Sequence, residues 1–131
     1  MIRLSHREGS TAPVLFDLGV IPRNSRAVQG SGIDFREADS IVLFCRSERD
    51  PQIIKVFSLE DEHIEVSQAD DDLYRRLSVT FPSGATGLLY RDRSYLCYFE
   101  ITQDEEVSTW PEGDVETPYF VIEMLEKLSV S

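Results

Sequence analysis

Histidine and cysteine side chains carry most nucleophilic and metal chemistry in proteins, and this chain has two of each. His6 stands in a polar stretch near the start, and His63 is expected on the solvent side of a predicted strand. Cys45 and Cys97 fall inside apolar stretches, whereas a reactive cysteine needs an accessible, electropositive setting. There is no Gly-x-Ser-x-Gly elbow. We therefore predict no catalytic residues; a Cys97–His63 dyad is the one nucleophilic alternative that the residues leave open.

The spacing of Cys45 and Cys97 is similar to that of the inter-sheet disulfide of antibody-type domains. The only tryptophan, Trp110, follows both cysteines, so the Cys–Trp–Cys order of those domains is not met. We predict that both cysteines are buried free thiols acting as small hydrophobes. A disulfide and a metal-bound pair stay open as alternatives.

Carboxylates occur in close pairs at two predicted turns, at Glu60 and Glu62 and at Asp70 and Asp72. A loose calcium site is one hypothesis for such turns, but neither matches the D-x-[DN]-x-[DN]-G loop. Histidine and cysteine are too few and too far apart to indicate a zinc site. The glycines do not form a phosphate-binding motif. We interpret the acids as solvated turn residues and predict no metal and no cofactor.

The net charge of −11, from 24 acidic and 13 basic residues, limits the partners of the chain. Nucleic acids and anionic membranes attract lysine and arginine and repel an acidic surface, so we predict direct binding to neither. No apolar stretch approaches the roughly 20 residues of a membrane-spanning helix, and we expect no secretory signal. The chain is therefore expected to be made and folded in a cytoplasm. An acidic inhibitor or decoy that fills a nucleic-acid-binding groove stays open as an alternative.

Short apolar stretches separated by polar turns predict an all-β sandwich of seven to eight antiparallel strands. The run from Ile41 to Cys45 predicts a central strand that is buried on both faces. Residues 83–89 are expected to form one helical turn, and residues 103–117 an acidic loop that carries Trp110. Residues 1–12 are predicted to be a flexible arm, and residues 13–131 a single domain. The predicted strands are residues 13–21, 40–47, 53–59, 63–68, 73–81, 94–102 and 118–125.

The strand at residues 94–102 has apolar side chains on both faces, which is more than one core requires. Tyr95, Cys97, Phe99 and Ile101 alternate onto one face, with Leu96 and Tyr98 on the other. Surplus aromatic surface of this kind marks a protein interface or a ligand surface. The predicted interface residues are Leu96, Tyr98, Trp110 and Tyr119. For Trp110, packing against the core is an equal alternative, and a carbohydrate-binding module is a further hypothesis for the aromatic set.

Three phrases, in order, resemble the Ig-like β-sandwich domain of bacteriophage tail and baseplate proteins, notably the N-terminal domain of the baseplate upper protein. They are EGSTAPVLFDL (residues 8–18), GIDFREADSIVLFCRS (32–47) and LSVTFPSGATGLLYRDRSYLCYFEI (77–101). The chain departs from that pattern at residues 92–94, where the family has a glycine, and in its acidic loop and final strand beyond residue 102. The resemblance implies no catalytic residues. It implies a non-enzymatic virion protein, made in the host cytoplasm, whose partners are other virion proteins and further copies of itself.

Overall fold

The structure, a computed structural model, describes residues 3–18, 34–69, 72–111 and 119–127. In these ranges the chain forms nine strands in two sheets, which confirms the all-β prediction. Two short 3-10 turns precede the longest strand, at Gly84–Thr86 and Tyr90–Asp92. The strands are β1 (Arg3–Arg7), β2 (Val14–Asp17), β3 (Ser40–Ser47), β4 (Ile54–Ser58), β5 (Ile64–Gln68), β6 (Tyr74–Val79), β7 (Ser94–Gln103), β8 (Glu106–Trp110) and β9 (Phe120–Leu125).

The large sheet has the order β1-β9-β7-β3-β4, with β8 also paired to β7, and the small sheet has the order β2-β6-β5. Strand β3 pairs with one edge of β7, and the other edge is therefore shared by β8 and β9. Trp110 of β8 lies opposite Phe99, and Phe120 of β9 lies opposite Cys97. Both strands run antiparallel to β7, so they line it one after the other.

The core fills the space between the two sheets, and period-two alternation places its residues. On β7, Tyr95, Cys97, Phe99 and Ile101 are all buried, as the sequence predicts. The facing residues of the small sheet include Phe16, whose ring meets that of Phe99 edge-on at 5.0 Å. Such aromatic contacts add to the burial of apolar area that drives the sheets together.

The prediction of a flexible arm at residues 1–12 needs correction, because Arg3–Arg7 form strand β1. This strand pairs in parallel with β9, so the sheet is not purely antiparallel. Leu4 packs against the core, and His6 is buried with its ring 4.8 Å from that of Phe81. The polar composition of the segment conceals these two inward side chains, which alternate with exposed Arg3, Ser5 and Arg7.

The prediction of an acidic loop over residues 103–117 is also wrong in its first part. Glu106–Trp110 form β8, a hairpin partner of β7. The turn is made by Asp104 and Glu105, with φ of 53° and 67°, as a two-residue type I′ hairpin requires. Residues 112–118 lie outside the described part of the chain, as do Asp70 and residues 19–21 of the first predicted strand.

Strand β3 is central, as predicted, since it lies between β4 and β7. Only one of its faces is fully buried, however. Ile41, Leu43 and Cys45 are buried, while Val42 and Phe44 on the other face are only partly covered. The small sheet covers one side of the large sheet, and no other strand within the described ranges covers the second face of β3.

A tightly closed corner leads into β7. The predicted helical turn is present at Gly84–Thr86. Gly87 follows it so close to the chain that a Cβ atom there would lie 1.8 Å from the carbonyl oxygen of Pro82. Beyond it, the Tyr95 hydroxyl accepts a hydrogen bond from the Leu89 amide at 3.1 Å and donates one to the Asp92 carboxylate at 2.6 Å. These bonds fix the start of β7, the strand that bears both core and outer-face aromatics.

Candidate protein interface

The outer face of the large sheet, the side turned away from the small sheet, carries several exposed or partly exposed apolar side chains. Register places its side chains in rows across β4, β3 and β7. In the central row Val56, Phe44 and Tyr98 lie side by side. Val56 and its neighbour Ile54 are 50% and 56% exposed. Large apolar side chains left open on adjacent strands form a patch of the kind that marks an interaction site.

A groove of about 500 Å³ runs through this surface. Its base is formed by Phe44 and Tyr98, whose rings stack at 5.2 Å with an interplanar angle of 25°. The groove is lined by Phe44, Arg46, Ile54, Leu96, Tyr98, Glu100, Thr109 and Tyr119.

Three of the four predicted interface residues therefore come together. Leu96 and Tyr98 reach the groove from β7, and Tyr119 reaches it from the residue before β9. All three are partly exposed. The alternation of β7 is sufficient to place Leu96 and Tyr98 on the second face, while the position of Tyr119 depends on the pairing of β9 with β7.

Trp110, the fourth predicted interface residue, belongs to the core and is only 6% exposed. Its partner across the sheet is Phe99, so it points inward, where its ring lies within 6.4 Å of those of Phe16, Phe99 and Phe120. The indole Nε1 is buried and has no acceptor in the part of the chain that the structure describes. Of the two alternatives that the sequence left open for Trp110, the structure shows packing against the core.

Sequence reasoning missed Phe44, Ile54 and Val56 as members of this surface. Phe44 lies in an uninterrupted apolar run, which gives no alternation to show that one face is uncovered. A usable signal was present in the cysteines: Phe44 precedes Cys45 and Tyr98 follows Cys97, so an antiparallel pair that matches the cysteines also matches these two rings.

The charges of the outer face are nearly balanced, unlike those of the whole chain. Its strand residues include three arginines and two glutamates. Arg3 and Glu123 form an ion pair at 2.6 Å at one side of the face. Arg46 and Glu100 form no ion pair or side-chain hydrogen bond with any residue that the structure describes. The charged residues are Arg3, Arg7, Arg46, Glu100 and Glu123.

Cys45 and Cys97 are both buried, as predicted, and they face each other across neighbouring strands of one sheet. This position differs from the antibody-type bridge, which joins two sheets. Burial raises the pKa of the Cys45 thiol, and the adjacent Cys97 thiol raises it further. Since the thiolate is the reactive form, the environment of Cys45 disfavours nucleophilic chemistry.

The remaining chemical candidates are distributed through the core and its margins. His63 was expected on the solvent side of its strand, and this prediction is wrong. The side chain is partly buried, and the centroid of its ring lies 5.6 Å from that of Phe57. The thiol of Cys97 donates to the Tyr95 carbonyl at 3.6 Å, and no hydrogen bond joins it to His63 within the described ranges. Burial and the Asp92 carboxylate raise the pKa of the Tyr95 phenol, which therefore serves as a hydrogen-bond donor.

Neither a cluster of metal ligands nor a membrane-spanning helix occurs among the residues that the structure describes. These residues contain no group of three or more histidine, cysteine, aspartate or glutamate side chains arranged to hold a metal ion. They also contain no helix with the length and apolar character needed to span a membrane.

Comparison of the chain with models of known protein families, with curated proteins and with solved structures found no significant match.

Proposed function

We propose that this protein is a non-enzymatic structural component of a bacteriophage or phage-like particle, which assembles through the outer face of its large sheet. The observation that carries the proposal is the groove on that face, with the stacked rings of Phe44 and Tyr98 at its base. A sandwich needs one buried face per sheet, and a second apolar face gains free energy only when another molecule covers it.

The strand order supports the Ig-like form of the sandwich. In variable-type immunoglobulin domains one sheet contains strands G, F, C and C′, and the other contains B, E and D. Strands β9, β7, β3 and β4 have the first arrangement, and β2, β6 and β5 have the second. Tyr95 stands two residues before Cys97, and its hydroxyl bonds back to the Leu89 amide, which matches the tyrosine corner of such domains.

The cysteines mark how this sandwich differs from an antibody domain. The antibody disulfide joins strands B and F. Here Phe16 is the inward residue of β2, the strand in the B position, while Cys45 lies on β3, in the C position. The two sheets are therefore held by aromatic packing of Phe16 against Phe99, Trp110 and Phe120 instead of by a bridge.

The alternatives have less support. A carbohydrate-binding module would stack sugars on Trp110 and tyrosines, but Trp110 is buried and presents no face to a sugar. A decoy for a nucleic-acid-binding groove would use the acidic loops of the chain, and residues 112–117 of the longest predicted loop lie outside the described residues. Steeply salt-dependent binding to a nuclease or repressor would favour the decoy over the assembly protein.

Mass spectrometry of purified particles from the source of this chain tests the proposal. The expected result is that the chain is present at a fixed copy ratio to the coat proteins after repeated density-gradient purification. Loss of the chain from particles that stay intact, at each purification step, would overturn the structural role.

A further inference from the structure

The geometry points to a second copy of this chain as the molecule that covers the outer face, packed across a two-fold axis that pairs Arg46 of each copy with Glu100 of the other. This inference rests on the proposed function for its use of the outer face. It goes further by naming the occupant and the orientation.

Three rows of the outer face decide the orientation. Across β3 and β7, Arg46 lies opposite Leu96, Phe44 opposite Tyr98, and Val42 opposite Glu100. Arg46 and Glu100 therefore stand on opposite sides of the stacked rings, one in the row before them and one in the row after. The face is apolar in the middle, basic on one side and acidic on the other.

Two sheets that pack face to face as identical copies are related by a two-fold axis lying in the interface. When that axis runs across the strands, through the Phe44–Tyr98 row, the Arg46 row of one copy covers the Glu100 row of the other. Arg46 then lies about one strand spacing, roughly 5 Å, to the side of the second copy's Glu100. That offset is within reach of an arginine side chain.

The other axis, along the strands, is disfavoured by charge. It sets like rows against each other, so that the two Arg46 side chains approach and the two Glu100 side chains approach. Each contact would bring equal charges together, which costs free energy at an interface. The crosswise axis removes both repulsions and replaces them with two opposite-charge pairs.

Self-association of an acidic protein also requires a surface that lacks the excess of acid. Two chains of net charge −11 repel each other at long range. The outer face, with three arginines and two glutamates on its strands, is locally close to neutral. Two such faces can therefore approach each other without burying a surplus of either sign.

The size of the face sets the expected affinity. With strands about 4.8 Å apart and about 3.3 Å per residue, the face measures roughly 20 by 25 Å. Each copy then buries an area below the roughly 800 Å² of a standard interface. We expect a dimer with a dissociation constant on the order of 10 µM, strengthened in a particle by the high local concentration of chains.

Charge reversal tests the pairing in sedimentation equilibrium at low salt. Arg46→Glu alone sets the new carboxylate against the second copy's Glu100, and Glu100→Arg alone sets the new guanidinium group against the second copy's Arg46. Each variant is expected to raise the dissociation constant at least about tenfold. An equimolar mixture of the two variants is expected to form a heterodimer within about threefold of the wild-type affinity. In the lengthwise packing each single variant would keep like charges opposed, as in the wild type, and would not weaken the dimer. Weakening by both single variants together with recovery in the mixture is therefore expected only when the copies pack crosswise.

Arg91→Glu and Glu65→Arg make the same charge changes at exposed positions away from the outer face and serve as matched controls. They should leave the dissociation constant within about twofold of the wild type. A wild-type chain that stays monomeric up to 1 mM, or a mixture that gains nothing over its components, would overturn the inference. If the variants form the heterodimer but the chain is absent from purified particles, only the proposed function is overturned. If the chain is present in particles but the heterodimer does not form, only the assignment of a second copy to the outer face is overturned.

Discussion

The ring centroids of Phe44 and Tyr98 lie 5.2 Å apart on the outer face of the large sheet. The adjacent residues Cys45 and Cys97 lie opposite each other on the same two strands, with their side chains on the inner face. Neighbouring residues on the same two strands therefore lie in different environments. The cysteines fill the core, and the rings form the base of an open groove. Side chains of similar apolarity are separated into a buried core and a partly exposed outer face by the side of the sheet on which they stand.

Replacing Tyr98 by serine is expected to affect association more than folding. The stacked pair contributes about 0.5–1.5 kcal/mol beyond its burial, so the free energy of unfolding at low protein concentration should fall by about 1 kcal/mol. The dimer should weaken at least about tenfold, because the centre of the interface is lost. Urea denaturation and sedimentation equilibrium on the same sample measure the two effects. A large loss of stability with unchanged association would contradict the assignment.

Trp110 is expected to show the opposite behaviour. Trp110→Ala leaves a cavity between the sheets and should lower the free energy of unfolding by about 3–5 kcal/mol, as measured by urea denaturation. Trp110→Phe keeps most of the ring contact and removes a buried N–H that has no acceptor among the described residues, so it should cost much less. If Trp110→Ala were as stable as the wild type, Trp110 would have to lie on the surface.

The two thiols should be unreactive in the folded protein. Both cysteines are fully buried, and the pKa of Cys45 is raised by burial and by its neighbour. With an aromatic disulfide reagent at pH 8, we expect negligible labelling within minutes in buffer and complete labelling of both thiols in concentrated urea. Rapid labelling in buffer would place at least one cysteine at the surface.

Burial lowers the pKa of His6, so the folded protein favours the neutral imidazole. The unfolded chain binds a proton more readily, with a pKa near 6.5. The stability that depends on neutral His6 is therefore complete above about pH 6.5 and is lost as the pH falls below that value. Unfolding free energies measured from pH 7.5 to 5.5 should decline more steeply for the wild type than for His6→Leu. Parallel curves would show that His6 is solvated.

The hairpin between β7 and β8 contains a local strain that glycine should relieve. Glu105 has φ of 67°, a left-handed conformation that costs an ordinary residue about 1 kcal/mol or more. Glu105→Gly is expected to raise the free energy of unfolding by about 1 kcal/mol. Glu60→Gly, at a turn position that is not among those with positive φ, should instead lower it by about 0.5–1 kcal/mol. Calorimetry of both variants gives the comparison.

The parts of the fold that the sequence predicts are those with strict alternation. Tyr95, Cys97 and Phe99 on β7 are buried on one face as predicted, because a period of two leaves one answer for each face. The hairpin that carries Trp110 was not foreseen, since Asp104 and Glu105 lack the Asn-Gly signal of a type I′ turn. Its formation depends on pairing with β7, which a local pattern does not contain.

The residues of the outer face were predicted in part for a similar reason. Leu96 and Tyr98 alternate with core residues, so their second face could be recognised. Phe44 stands in an apolar run that fits burial on both sides, and it is left partly exposed because the small sheet packs on the inner face of the large sheet, where Leu43 and Cys45 lie. Which layer covers which face is a property of the whole topology, and no single strand encodes it.

Hydroxyl-radical footprinting of Tyr98 most directly tests the claim that the outer face is an assembly surface. The measurement compares the oxidation rate of Tyr98 in dilute isolated chain with that in purified particles, with Leu15, 70% exposed on β2, as the reference side chain. The account predicts at least about fivefold protection of Tyr98 relative to Leu15 in the particle, as expected for a desolvated interface centre. Equal oxidation of Tyr98 in both samples would contradict it.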